Sequence, residues 1–254
     1  MKTYEKIKIV TPVALVIFLG TSGCKKALLV RFLEFIFGIS RAGRIKLLAA
    51  DAAAVESRIA VPAVYPEVED ITLGPDEFIG IKLPDNDYLG RAEREGRLWM
   101  MRAGWHRNPG VVCDNNGTGG NQRNGAALWT LNEEVMRPKI NRAIRELRDY
   151  QVQQQRIDIA DGTKSVTNTI PVIVCGTDLG GMASSRTDDI CRMVGEEAYA
   201  LKCDVRIIRL SLVMGCLNPV DRQVAARNQL LSHKRLQALL PGAAAAIHAA
   251  RRGC

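Results

Sequence analysis

Four near-continuous aliphatic runs constrain this chain more than any other feature: residues 12–19 (PVALVIFL), 45–50 (IKLLAA), 170–175 (IPVIVC) and 205–212 (VRIIRLSL). Apart from Arg206 and Arg209 in the last, they barely alternate between polar and apolar residues. A strand with one wet face alternates. A strand that is apolar throughout suits burial on both faces, which is the situation inside a parallel sheet. The segments between the runs carry helical spacing instead. Leu28, Leu29, Phe32, Phe35 and Ile36 make a wide apolar face after the first run. Ile190, Met193, Val194, Ala198 and Leu201 recur at three and four after the third, and Leu231, Leu236, Leu239 and Leu240 after the fourth. Strand–helix alternation of this kind predicts an α/β fold, a doubly wound, mostly parallel Rossmann-like sheet with helices on both faces.

Residues 61–112 break the alternation. They are rich in Pro, Gly, Asp and Arg, hold Trp99 and Trp105, and include one strand-like piece at 78–83 (FIGIKL). They read as an irregular insertion of loops and small elements. Leu128, Leu131, Val135, Ile140, Ala143, Ile144 and Leu147 then predict a long helix, which Pro138 must kink or restart. Residues 151–169 are polar and expected to be exposed, and residues 243–254 are a low-complexity tail. The expected organisation is therefore one α/β domain over residues 1–242 followed by that tail.

With 254 residues the chain can bury a sizeable core, and 47% apolar against 24% charged residues is the balance of a globular protein. The formal charge of +8 favours anionic partners: nucleotide phosphates, nucleic acid or acidic surfaces. Between residues 219 and 254, Asp221 faces Arg222, Arg227, Lys234, Arg235, Arg251 and Arg252. No aromatic residues are interleaved there, so a solvated basic face is expected rather than a nucleic-acid platform. The cysteines form no C-x-x-C pair and the three histidines have no ligand spacing, which points to reduced thiols and away from a zinc site. Lys2, Lys6 and Lys8 precede the first apolar run, and Ser22-Gly23-Cys24 follows it in the manner of a lipoprotein cleavage site. Glu5 within the basic stretch, Thr21 three before the cysteine, and Lys25-Lys26 after it argue against that reading. The run is also too short to span a bilayer. A cytoplasmic protein without a membrane partner is expected.

Ligands of open α/β sheets bind beyond the carboxyl ends of the strands, so the loops after the runs carry the chemistry. Gly20-Thr21-Ser22-Gly23 opens the first helix; its glycines let backbone amides approach a phosphate, and the helix dipole favours an anion there. It is neither a P-loop, lacking the Gly-Lys-Ser/Thr end, nor G-x-G-x-x-G, and a plain tight turn is the open alternative. Asp51 closes the second run, where an acid contacts a ribose hydroxyl or a metal-bound water, or simply caps a helix. Residues 115–125 (NNGTGGNQRNG), with Gly117, Gly119, Gly120 and Asn121, read as a phosphate cradle or a flexible surface loop. After the third run, Gly180 and Gly181 permit close backbone approach, and Ser184 and Ser185 offer hydroxyls to a phosphate or to a helix cap.

Taken in order, these loops resemble those of the tubulin/FtsZ superfamily, and especially its bacterial tubulin-like branch, from about Pro12 to about Leu240. The family's first glycine-rich loop is matched by residues 20–23, its acid after strand two by Asp51, and its next glycine-rich loop by residues 117–125. Its G-G-G-T-G-S/T-G signature is matched in outline by residues 179–185, with Met182, Ala183 and Ser185 standing where the family has Thr, Gly and Gly. Asn228, in ARNQLLSHKRLQAL, sits like the family's guanine-reading asparagine. The resemblance implies a diverged, shortened N-terminal GTP-binding domain using GTP/GDP and Mg2+. In it Gly20, Thr21, Ser22, Gly23, Gly117, Gly119, Gly120, Asn121, Gly180, Gly181 and Ser184 would surround phosphates, and Asp51 would sit near ribose or magnesium. It implies self-assembly into homo-oligomers or filaments. No segment matches the family's acid-bearing loop for hydrolysis, so weak or absent intrinsic turnover is expected. Two other readings stay open. One is a Rossmann-type oxidoreductase using a dinucleotide, although a third glycine and any Tyr/Lys or His pair at catalytic spacing are missing. The other is a nucleotide-free α/β interaction scaffold whose basic C-terminal segment meets an acidic partner.

Overall fold

In the computed structural model, which describes residues 13–38, 44–52, 58–59, 71–82, 122–160, 169–177 and 181–212, the apolar runs become the strands of one sheet. Strand β1 (Ala14–Leu19) passes directly into helix α1 (Gly20–Ile36), followed by β2 (Ile45–Asp51). Two short strands, β3 (Arg58–Ile59) and β4 (Ile71–Thr72), pair antiparallel as a separate ribbon before β5 (Phe78–Gly80). Helices α2 (Gln122–Leu131) and α3 (Glu133–Ala160) lead to β6 (Ile170–Thr177), α4 (Gly181–Ala200) and β7 (Val205–Leu212). The five-stranded sheet runs β5-β2-β1-β6-β7, and all four of its pairings are parallel. The fold is thus a doubly wound α/β sheet with helices on both faces.

Alternate residues of each central strand feed two separate cores, as the strand's two-residue period requires. Leu15, Ile17 and Leu19 of β1, with Leu48, Ala50, Val172 and Val174, pack under Leu128, Ile144 and Val194 of the three helices α2 to α4. On the other face Phe18, Leu47, Ala49 and Cys175 meet Cys24, Ala27 and Leu28 of α1. Arg137 ties the first helical layer together: its guanidinium donates to Glu133 at 2.8 Å on its own helix and to Glu196 at 2.9 Å and Glu197 at 2.8 Å on α4. Asn141 donates to the same Glu197 at 2.7 Å.

The structure refines two sequence expectations and corrects two. Phe78–Gly80, within the strand-like piece expected at 78–83, is a strand, and it joins the main sheet at its edge, paired with β2 from Ala49–Phe78 to Asp51–Gly80. The long helix divides at Asn132 rather than at Pro138, which α3 absorbs near its start. Asn132 is held by tertiary contacts: its side-chain amide donates to Lys82 O at 3.1 Å and to Leu128 O at 2.8 Å. Helix α3 continues to Ala160, through polar residues that are exposed or half-buried as expected where their side chains are described. The face α1 buries is also not the one its large residues suggest. Gly20, Gly23, Cys24, Ala27 and Leu28 face inward, while Leu29 is 49% and Ile36 44% exposed. Among the described residues no helix is long and apolar enough to cross a membrane.

Two substitutions calibrate this packing. Ile144→Ala, at a fully buried position under the sheet, is expected to cost about 2–5 kcal/mol, read from the urea midpoint. Tyr199→Ser, at a largely exposed site on α4, is expected to stay within about 0.5 kcal/mol.

Candidate functional site

The winding of the sheet reverses between β1 and β6. The chain leaves β1 toward β2 on one side and leaves β6 toward β7 on the other, so α1 and α4 lie on opposite faces. Where such neighbouring connections diverge, a crevice opens beyond the carboxyl ends of the two strands. The carboxyl ends of β1, β2 and β6, at Leu19, Asp51 and Thr177, border it.

On the β1 side there is no intervening loop. Leu19 is extended and caps nothing with its side chain, Gly20 turns with φ of 75°, and the first turn of α1 carries no acid. Positive φ is open to glycine and strained for other residues, so the sharp strand-to-helix turn depends on Gly20. The amino end of a 17-residue helix therefore faces the crevice with no acid in its own first turn and no side-chain N-cap, the nearby negative charge being that of the buried Asp51. Gly23 serves a different purpose. A β-carbon there would lie 3.2 Å from the carbonyl carbon of Phe18, so its absence lets α1 settle onto the end of β1. Thr21 is exposed and Ser22 half-buried. The Thr21 hydroxyl donates to Asp51 Oδ2 at 2.7 Å, while the Ala52 amide donates to Asp51 Oδ1 at 2.8 Å. Asp51 itself is 2% exposed. Its carboxylate thus orients the exposed threonine rather than presenting itself to solvent.

The β6 side repeats the close approach. A β-carbon on Gly176 would lie 3.0 Å from Ala183 Cβ and 3.2 Å from Thr187 Oγ1, so α4 also rests tightly on its strand. Gly181 is the first residue of α4. Ala183, standing where the tubulin-type signature has glycine, points its methyl at the strand, and Ser185 is buried as well. Ser184, expected beside a phosphate, is buried, and its carbonyl accepts from Gln122 Nε2 of α2 at 3.4 Å. Gly117, Gly119, Gly120, Asn121, Gly180 and Asn228 lie outside the described residues. Of the expected site residues, the structure thus brings Gly20, Thr21, Ser22, Gly23, Asp51 and Gly181 to the carboxyl edge.

Charge and thiol chemistry around the crevice are settled by burial. Burial pushes the Cys24 thiol far up, reinforced by the negative charge of Asp51. Burial also raises Cys175, against the opposing pull of the Lys26 ammonium, which places that cation near the end of β6. Cys191 is pushed up to about 11 by burial and by Asp188, with Arg209 opposing. None of the three is a ready thiolate at neutral pH, so nucleophilic cysteine chemistry has no support here. A cavity of about 290 Å³ opens at the opposite end of the sheet, by Ile45 and Lys46. Its charges neutralise one another, Lys46 with Glu146 and Arg142 with Asp76.

The sequence already contained Gly20-x-x-Gly23, and its two roles, turn and packing, are those of the first and third glycines of a dinucleotide fingerprint. The Thr21–Asp51 bond had no local signal, because its partners are 30 residues apart.

No family model matches the chain, and no curated protein matches it. Among solved structures, CetZ2 from Haloferax volcanii, described as a GTPγS-bound protofilament, is similar over 85% of this chain and 44% of its own, at 16% identity and a TM-score of 0.37. The chain thus spans less than half the length of that protein. A likeness at this level does not establish kinship, and the reading of the site rests on its own geometry.

The thiols give a pH test. Cys191 holds its proton more tightly folded than unfolded, so its contribution to stability is complete below about pH 9 and is lost as pH rises toward about 11. Thermal melts from pH 8 to pH 11 should therefore fall less steeply for Cys191→Ala than for the parent chain. At pH 8, native Cys24 and Cys175 should alkylate far more slowly than in urea, as mass spectrometry will read.

Proposed function

We propose that this crevice binds the phosphates of a nucleotide, and that the chain is a tubulin/FtsZ-type GTP-binding domain with little or no hydrolysis of its own. The observation that carries the phosphate reading is the start of α1: a glycine at positive φ delivering an uncapped helix terminus to the switch point of the sheet. Backbone amides in that setting bind anions without any particular side chain. The exposed Thr21 hydroxyl, held by Asp51, adds an oriented polar group, and Lys26 adds positive charge nearby. GTP as the nucleotide follows from the motif order described above, with residues 117–121 completing the phosphate shell and Asn228 reading the base.

The residues fit phosphates better than they fit a metal. Magnesium, when bound, would supply charge neutralisation between phosphate oxygens. Asp51, buried and already accepting from Thr21 and Ala52, suits a positioning role rather than direct contact with magnesium or ribose. Self-assembly belongs to the same reading. So does weak hydrolysis, since no segment of the sequence matches the acid-bearing loop that would orient an attacking water. One observation favours a second reading: Gly20, Gly23 and an acid at the end of β2 are also what a dinucleotide site uses.

Titration of the purified chain with fluorescent GTP in magnesium, competed with GTP, ATP and NAD, separates these readings. Saturable binding displaced by GTP alone is expected. Displacement by NAD assigns the dinucleotide site instead, and absence of saturable binding overturns both. Gly20→Val should lower affinity by about tenfold or more while far-UV circular dichroism stays unchanged, because a side chain at that φ moves the amides that face the phosphate. Brisk GTP turnover by the isolated chain would contradict the weak-hydrolysis half.

A further inference from the structure

The outer edge of β2 is paired for only part of its length. Ile45, Leu47, Ala49 and Asp51 turn their backbone groups away from β1, since successive residues of a strand bond to opposite sides. Strand β5 serves the last two: Ala49 N donates to Glu77 O at 2.7 Å, and Asp51 O accepts from Ile81 N at 2.8 Å. It begins only at Phe78, opposite Ala49, because the chain before it folds into a turn in which Glu77 N and Phe78 N both donate to Gly74 O. Among the described residues no strand pairs with Ile45 and Leu47 on that side. Their two N–H and two C=O groups border the cavity of about 290 Å³ at this end of the sheet. Residues 45–48 of β2 form one wall, Lys139, Arg142, Ala143 and Glu146 of α3 another, and the turn adds Asp76 and Glu77.

Main-chain donors and acceptors alternating along an edge select their ligand. An anion would meet the carbonyls as well as the amides. A helix has its backbone groups bonded internally. An extended peptide offers acceptors and donors in the matching order. Run antiparallel, three of its residues suffice, because each bonded pair of opposite residues exchanges both bonds.

The flanking side chains set the chemistry of that peptide. Ile45 and Leu47 lie toward the α1 core, beside Leu73 and Phe78, so the two residues opposite them are apolar. Lys46 points to the α3 side and pairs with Glu146. Arg142 pairs with Asp76, and Glu77 with Arg31. Lys139 is the remaining cation. It donates to Pro75 O at 2.8 Å and to Phe78 O at 3.1 Å, and among the described residues no carboxylate pairs with it. An acid opposite Lys46 would balance that charge. A second copy of β2 fits poorly, because the same antiparallel register would set Lys46 against Lys46. We propose that this groove receives an extended peptide of another protein, added antiparallel to residues 45–47, with an acidic residue between two apolar ones. The groove lies at the opposite end of the sheet from the crevice and does not depend on what the crevice binds.

Fluorescence anisotropy with the full chain tests it. The probe is fluorescein-labelled Gly-Ser-Ile-Glu-Val-Ser-Gly. Two control peptides carry Lys in place of Glu, or N-methyl groups on the Ile and Val amides. Saturable binding of the first probe is expected. Each control should bind more weakly by about tenfold or more, since one loses the charge match and the other two main-chain donors. Lys139→Glu should reverse the preference in favour of the Lys peptide, an outcome that mere damage to the fold would not give. Undiminished binding of the N-methylated peptide, indifference to the central charge, or a preference that Lys139→Glu leaves unchanged would overturn the proposal. So would absence of saturable binding, the result expected if a second copy or another part of this chain already occupies the edge.

Discussion

Where β1 pairs with β6, from Leu15 opposite Val172 to Phe18 opposite Cys175, two strands far apart in sequence are locked side by side in one direction. That pairing reverses the winding of the sheet, and the rest follows. It sends α1 to one face and α4 to the other, aligns the carboxyl ends of β1 and β6, and leaves both helix starts beside a common crevice. It also divides the interior, because successive residues of β1 enter different cores: Leu15, Ile17 and Leu19 on one side, Val16 and Phe18 on the other. Contacts of this separation form only after costly loop closure, so the crevice is a product of the finished sheet rather than of either helix alone.

Close approach at two glycines then determines how the helices sit. Glycine within a helix costs roughly 0.5–1 kcal/mol relative to alanine, so Gly23 in α1 needs compensation. The compensation is proximity: with Phe18 backbone 3.2 Å from where a β-carbon would be, α1 packs through Gly23, Cys24 and Ala27 rather than through large side chains. Gly176 does the same for α4 from the strand side. Together these contacts bring helix starts near enough for backbone amides, rather than long side chains, to define the crevice. Asp51 fits that economy of reach, fixing Thr21 from within the protein.

What could be read from the sequence, and what could not, divides along the same physical line. The strands β1, β2 and β6 were legible because burial on both faces writes a near-unbroken apolar run, and β7 by its aliphatic residues despite Arg206, Arg209 and one exposed face. The FIGIKL run at 78–83 also stood out as strand-like, but that Phe78–Gly80 joins the main sheet as an edge strand did not, since its pairing with β2 is set by tertiary structure. Pro138 drew attention as a break, yet it lies near the start of α3, whereas Asn132 divides the helices through bonds to Lys82 that no local rule anticipates. On α1 the spacing of large apolar residues pointed to the wrong face, because tight packing selected the small ones. In the site, Gly20 and Gly23 were legible as backbone devices, while the bond by which Asp51 holds Thr21 joins residues 30 apart and had no local signal. Ser184 was read as a phosphate or cap residue from its place after Gly180-Gly181; its burial beside α2, where its carbonyl accepts from Gln122, had no local signal.

The unequal cores have a consequence for the crevice. The α2–α4 side holds long buried side chains such as Ile140, Ile144 and Leu147 and is clamped by Arg137 across two helices. The α1 side rests on smaller residues, Cys24 and Ala27 among them, with one helix over much of it. Local opening follows contact density, so α1 belongs to the lower-stability part of the domain. The proposed phosphate contacts are made by the first turn of that same helix. A ligand that binds only the closed form stabilises it by RT ln(1 + [L]/Kd), about 2.7 kcal/mol at a hundredfold excess over Kd. That free energy would fall mainly on α1, the least secured element at the switch point, so nucleotide occupancy and the integrity of the α1 face are thermodynamically linked.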